Sequence, residues 1–195
     1  MRFPCVQEGA RAEEFAHKAL AIDPSGGAPY NLLQNISLHR RRYDEAIAYG
    51  EKAVALAPNA AGIVAQFGRA LVYAGRPEEA LPVIQRAIRL SPFTPPNILR
   101  YEGEAYHAME RYQEAIAAFE RARARNPKSP QPLAWLAITY ADMGRMDEAR
   151  AAAQEVLKLT PGFSAKGFVN GTMDYKDRAK AEHALTTLRQ LGLPV

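Results

Sequence analysis

Glu104 and His107 stand three residues apart, which puts a carboxylate and an imidazole on one face of a helix. Carboxylate-bridged metal sites use that motif twice, with two further carboxylates, and the sequence offers it once. A solvated pair lying in a groove is therefore the expectation. The single cysteine, Cys5, excludes a disulfide framework and a multi-cysteine metal site. It also lacks the basic neighbourhood that turns a thiol into a nucleophile. His17 and His183 fall on charged helix faces and read as surface residues. There is no phosphate loop, no Gly-x-Gly-x-x-Gly after a strand and no His-Glu-x-x-His. No catalytic residue, cofactor or metal is expected, and the chain reads as a non-enzyme.

Phosphate binding is the other chemistry to weigh, because 25 basic against 21 acidic residues leave a net charge of +4 and a pI near 9.2. His39-Arg40-Arg41-Arg42 is one basic cluster, and Arg121, Arg123 and Arg125 form another. Nucleic-acid binding needs basic groups collected along one face. Arg121 and Arg123 diverge by about 200° at a helical 100° per residue. Both clusters fall at helix C-termini, where arginine meets the dipole favourably, so no nucleic-acid partner is expected. With 48% apolar and 24% charged residues the chain is too apolar to be disordered. No apolar run reaches membrane-span length, and no signal-peptide core follows Met1. A soluble, cytoplasmic protein without a membrane partner is expected.

The elements that carry these residues follow from a repeat. Pro24, Pro58, Pro92, Pro127 and Pro161 recur at one interval, lengthened by a single position between Pro92 and Pro127. Ala12, Ala46, Ala80, Ala115 and Ala149 keep the same intervals. A second series of small residues, Ala19, Ala53, Ala87, Ala122 and Val156, runs in step. Each unit reads as two helices. In one, Ile63, Phe67, Ala70 and Leu71 recur at helical spacing until Gly75-Arg76-Pro77 breaks the pattern. Ala80, Leu81, Ile84, Ala87 and Ile88 then form a second apolar stripe, ended by Ser91-Pro92. Acidic first turns, as in Asp44-Glu45 and Asp147-Glu148, complement the helix dipole. Alanine at the crossings lets backbones approach closely, and one helix pair alone cannot bury its apolar face, so the units must stack. No segment alternates with period two, so no sheet is predicted.

This grammar resembles the tetratricopeptide repeat over about residues 8–161. The signature positions are Tyr30, Leu33, Tyr43, Ala46, Ala53 and Pro58 in the first complete unit, then Phe67, Gly68, Ala80, Ala87 and Pro92. They continue as Leu99, Gly103, Tyr106, Tyr112, Ala115, Phe119, Ala122 and Pro127, and as Leu133, Leu136, Tyr140, Gly144, Ala149 and Pro161. Gln34 departs from the family's glycine and Glu102 from its leucine. The resemblance implies an all-α, right-handed solenoid with a half-repeat at 8–24 and full repeats at about 27–58, 61–92, 96–127 and 130–161. Residues 162–195 then form a linker and a capping helix from about Tyr175 to Gln190, with Ala179, Ala184, Leu185, Leu188 and Leu191 facing the last repeat. The half-repeat has no partner helix, so the chain reads as a fragment of a longer protein, with an open apolar face (Phe15, Ala16, Ala19, Leu20) that allows self-association. Pro161-Gly162-Phe163-Ser164, Tyr175-Lys176-Asp177 and Leu191-Gly192-Leu193-Pro194 are similar to the repeat region downstream of bacterial class III adenylate/guanylate cyclase domains. That likeness implies a regulatory segment of a signalling protein whose catalysis lies elsewhere.

In this family the first helix of each unit lines the concave surface. The resemblance thus places Asn31, Asn35, His39, Gln66, Arg69, Tyr73, Arg100, Tyr101, Glu104, His107, Trp135 and Ile138 in a peptide-binding groove. Tyr101 and Trp135 also have the size to pack between neighbouring helices. Members that clamp C-terminal carboxylates use two lysines, two asparagines and an arginine. Here Asn35 matches one asparagine and Gln66 replaces the other, both lysines are absent, and Arg100 is offset by one place, so that clamp is not expected. Arg69 and Arg100 are instead expected to meet a ligand carboxylate, with Glu104 holding Arg100 when no ligand is present. The function so implied is a scaffold that binds a protein or peptide segment.

Overall fold

A computed structural model describes residues 4–195, with side chains from residue 11 onward. The Cys5 side chain lies outside the described residues. Eleven helices and no strand occur among the described residues, and none is long and apolar enough to cross a membrane. The all-helical expectation holds. Helix α1 (Pro4–Ile22) precedes four antiparallel pairs: α2 (Gly27–His39) with α3 (Tyr43–Leu56), α4 (Ala61–Tyr73) with α5 (Pro77–Leu90), α6 (Pro96–Ala108) with α7 (Tyr112–Arg125), and α8 (Pro130–Asp142) with α9 (Met146–Leu159). Each pair also packs on the next, so one apolar core runs the length of the array.

The small-residue series sits where helices touch. Ala46, Ala53, Ala80, Ala87, Ala115 and Ala122 are all fully buried. In the second and third units a glycine on the first helix faces a large side chain on the second. A Cβ on Gly68 would collide with the Ile84 side chain, and one on Gly103 would collide with the Phe119 ring. The first unit exchanges the two partners. Gln34 is fully buried where the other units are small, and Gly50 opposite leaves the room that its amide fills, since a Cβ on Gly50 would overlap the Gln34 oxygen. The Gln34 amide then donates to the Gln66 carbonyl at 3.0 Å. Glu102, the other departure, is 5% exposed and meets Arg121 of α7. Both irregular residues are thus absorbed by a compensating neighbour.

The turn inside each pair passes through the left-handed region at equivalent places, with φ of 60° at Arg41, 84° at Gly75, 61° at Glu110 and 73° at Gly144. Glycine adopts that conformation freely, whereas Arg41 and Glu110 carry a Cβ against the backbone.

The end of the chain differs from its sequence reading. The expected linker contains a helix, α10 (Ala165–Thr172), whose N-terminus is capped by the Ser164 hydroxyl accepting from the Gly167 amide at 2.9 Å. Helix α11 (Arg178–Gln190) starts three residues later than expected because Asp177 caps it, accepting from the Ala179 amide at 3.0 Å. Ala184, Leu188 and Leu191 are buried and Leu185 is half-buried, but Ala179 in the first turn is exposed. The Ala165 amide donates to the Pro194 carbonyl at 2.6 Å, tying α10 to the chain end.

Candidate functional site

The first helices α2, α4, α6 and α8 carry the expected groove residues, and the structure joins most of them into one polar chain. Asn35 donates to the Asn31 carbonyl and accepts from Arg69, both at 2.8 Å. The Arg69 guanidinium also lies over the rings of Tyr73 and Tyr101, at 5.6 and 5.4 Å. Arg100 lies over Tyr101 at 4.7 Å and pairs with Glu104, and the Tyr73 hydroxyl donates to Glu104 at 3.0 Å. Gln66 contributes its carbonyl to Gln34.

Much of this chain is not an open surface. Tyr73, Arg100, Tyr101, Glu104 and Trp135 are buried, with Glu104 at 0% exposure. The expected Arg100–Glu104 pair forms, but it is part of the packing and does not face solvent. Glu104 and His107 are likewise not a solvated pair, since they turn to different partners. His107 Nε2 lies 2.9 Å from one Asp142 oxygen and His183 Nε2 lies 2.6 Å from the other. His183 therefore does more than decorate a charged face: it links α11 to α8. Burial pushes the Asp142 carboxyl up, but the hydrogen bonds from His107 and His183 outweigh it and hold the group below its ordinary value.

The groove is covered because residues 172–177, from the last residue of α10 to the cap of α11, cross it. The Lys176 amide donates to the Tyr73 carbonyl at 2.8 Å, and the Tyr73 hydroxyl contacts the Thr172 carbonyl. The Tyr175 ring meets Tyr73 edge-on with centroids 4.8 Å apart, and Asp174 reaches His39 Nδ1 at 2.6 Å. Met173, Asp174 and Tyr175 are buried at 2, 7 and 5% exposure. Burial pushes the phenols of Tyr73 and Tyr175 well above the ordinary tyrosine value, so both act as neutral groups.

Beside this crossing segment a cleft of about 480 Å³ remains, bounded by α6, α8 and α11. Trp135, Ile138, Met173 and Tyr175 form its apolar walls, and His107, Tyr112, Asp142, Lys180 and His183 its polar ones. Trp135 is also the centre of an aromatic cluster, with His107 at 5.4 Å, Phe119 at 5.6 Å and Phe168 at 6.4 Å. Sequence reasoning missed Asp142, although Trp135, Ile138 and Asp142 follow the i, i+3, i+7 register that would have found it. Tyr112, Lys180 and the tail residues carry no comparable signal. Four of the six arginines in the two basic clusters are paired with acids: Arg40 meets Glu13 at 2.6 Å, Arg42 meets Glu45 at 3.0 Å, Arg123 meets Glu155 at 2.5 Å, and Arg121 meets Glu102.

Family models for the tetratricopeptide repeat match residues 66–130 and 106–166, together just over half of the chain. The chain is a tetratricopeptide-repeat (TPR) protein. It is 31% identical over 84 residues to Hsp70-Hsp90 organizing protein 2 of Arabidopsis thaliana, a match that covers 41% of this chain and 15% of that protein. Among solved structures, a thermophilic TPR protein of Thermus thermophilus superposes with a TM-score of 0.71 at 24% identity, covering 93% of each chain. PilW, a type IV pilus biogenesis factor, gives a TM-score of 0.77 at 20% identity over 95% of this chain and 83% of its own. YrrB, a TPR protein described as having an unusual peptide-binding site, gives 0.61 at 25% identity over 81% of each. These likenesses establish the TPR solenoid, an architecture consistent with a scaffold for protein–protein interaction.

Proposed function

We propose that the chain is a non-catalytic, cytoplasmic scaffold that binds a protein segment on its concave face. The observation that carries this reading is the cleft between α6, α8 and α11. Its volume of about 480 Å³ suits one or two anchoring side chains, and its mixture of aromatic walls with a few fixed polar groups is the composition of recognition sites. Trp135, which lines it, carries a buried ring N–H with no acceptor among the described residues. The likeness to YrrB, a TPR protein described as having a peptide-binding site, supports a peptide as the kind of ligand. The acid-paired arginines support a partner other than nucleic acid.

The test is selection of displayed peptides on the full chain, followed by the variant Lys180→Glu with Tyr112→Ser. Selected peptides should bind that variant about tenfold more weakly or worse, roughly 1.4 kcal/mol. Unchanged affinity in a folded variant removes the cleft as the site.

A second reading rests on the tail. The residues that resemble the region downstream of nucleotide cyclase domains are those that build it: Phe163 and Leu193 are buried, Ser164 caps α10, and Tyr175 enters the groove. In that reading the scaffold regulates a catalytic domain elsewhere in a longer polypeptide, and the coding sequence upstream decides it. Helix α1 adds a further surface, although not the whole expected face: Ala16 is buried and Ala19 and Leu20 are half-buried, so self-association is proposed through Phe15 and Ile22, 60% and 87% exposed.

A further inference from the structure

Residues 172–177 are not held like an ordinary linker. Between the end of α10 and the start of α11 the chain has no regular structure, yet Met173, Asp174 and Tyr175 are buried. Its hydrogen bond, ring contact and ion pair reach back to α2 and α4, while Met173 and Tyr175 also wall the cleft beside α6 and α8. Three kinds of recognition meet there. Tyr73 is the last residue of α4, so its carbonyl lacks an intrahelical partner, and the Lys176 amide supplies one at 2.8 Å. The Tyr175 ring fills a slot against Tyr73, centroid to centroid 4.8 Å. The Asp174 carboxylate meets the half-exposed His39 imidazole at 2.6 Å. A main-chain bond, an aromatic slot and a carboxylate partner are what a solenoid uses on an extended peptide.

We infer that the Asp174-Tyr175 segment is a built-in ligand, and that the groove formed by His39 and Tyr73 accepts from a partner protein an extended segment with an acidic residue followed directly by a tyrosine or phenylalanine. The inference rests on the scaffold reading and deepens it by naming the partner's chemistry. Because the tail fills the site, the affinity for a partner is lowered by the fraction of molecules whose groove is vacant. The tail thereby sets the threshold for binding.

The experiment uses the full chain with Asp174→Ala and Tyr175→Ala, and a labelled, acetylated octapeptide of residues 170–177 read by fluorescence anisotropy. The double variant should bind the octapeptide about tenfold or more tightly than the unaltered chain, whose groove is filled. An octapeptide with alanine at both places should bind neither. Adding His39→Ala to the double variant should weaken binding by about tenfold, as loss of one charge-assisted contact does. Equal affinity of the double variant and the unaltered chain overturns the inference. So does no binding by a double variant whose helical circular dichroism is intact. A scrambled octapeptide binding as well as the native order would sink the acidic–aromatic preference while leaving the scaffold reading in place, since that reading falls only if the Lys180 and Tyr112 variant loses nothing. Should the double variant unfold, Asp174→Ala by itself removes the His39 contact and leaves Tyr175 in place. Hydrogen exchange at the Lys176 amide should then quicken while the α4 amides hold, and unchanged exchange at Lys176 overturns the inference.

Discussion

The molecule uses arginine–glutamate pairs in two regions, and they do different work. On the outer helices the pair recurs at the start of four helices, as Arg42 with Glu45, Arg76 with Glu79, Arg111 with Glu114 and Arg145 with Glu148. Each arginine precedes the helix and each glutamate lies in its first turn, so the pair comes from local geometry and the repeat copies it. These side chains are substantially exposed, and water screens them. On the concave face the pair occurs once. Arg100 and Glu104 are buried, and they are joined to Tyr73, to Tyr101 and through Tyr73 to the tail. Removing such charges from water is costly unless every partner is in place. The same two residue types are thus ornaments of a repeat in one region and a keystone in the other.

The sharpest way to break the comparison is Glu104→Ala. It leaves Arg100 buried without its carboxylate and should cost about 3–5 kcal/mol in denaturant unfolding of the full chain. Arg100→Met with Glu104→Leu should recover most of that loss, because an apolar pair of similar volume strands no charge. By the same reasoning Arg69→Ala with Arg100→Ala acts on folding as well as on binding, contrary to what a surface reading of the two arginines implies.

A smaller effect is expected at the turns that repeat. Gly144→Ala forces a Cβ into the left-handed region and should cost about 1–2 kcal/mol, whereas Glu110→Gly relieves the same conflict and should raise stability by up to about 1 kcal/mol. If both substitutions lower the unfolding midpoint equally, the left-handed turns are not what distinguishes these units.

Acid separates the two regions further. The Asp142 carboxyl titrates below its ordinary value of 3.8 in the folded chain, so its contribution is present above that pH and is lost as pH falls through the folded value. Asp142→Asn should therefore flatten the acid limb of the stability profile below about pH 4, which acid unfolding of both chains checks. Glu79, Glu114 and Glu148 are also held low, by hydrogen bonds from Arg76, Arg111 and Arg145, but they are open to solvent. Glu79→Ala or Glu148→Ala should leave the thermal midpoint unmoved within error, the smallest effect of the set.

The repeated part of the fold was legible because its signals are local and periodic. A proline closing every unit and alanines at each crossing report packing between neighbours, and neighbours in the array are neighbours in sequence. The Gln34–Gly50 exchange was half legible: the departure at Gln34 is visible, but its meaning needs Gly50, on the following helix, to be recognised as the facing position. Asp142 was within reach by continuing the helical register from Trp135. The tail was not legible in the same way. Tyr73 and Thr172 are 99 residues apart, and no other unit contains a comparable contact from which to learn it.

Sequence by itself determined that this chain is a stack of helix pairs, because each unit exposes an apolar stripe that only another unit can cover. The family resemblance, in turn, is what assigned the expected groove residues to the first helix of each unit. Tertiary structure alone decided that Arg100 and Glu104 are buried, that His183 serves Asp142, and that Tyr175 lies against Tyr73. The physical reason is that side-chain type and periodicity specify the contacts between adjacent elements, while burial of the concave face depends on whether a distant, aperiodic segment returns to fill it.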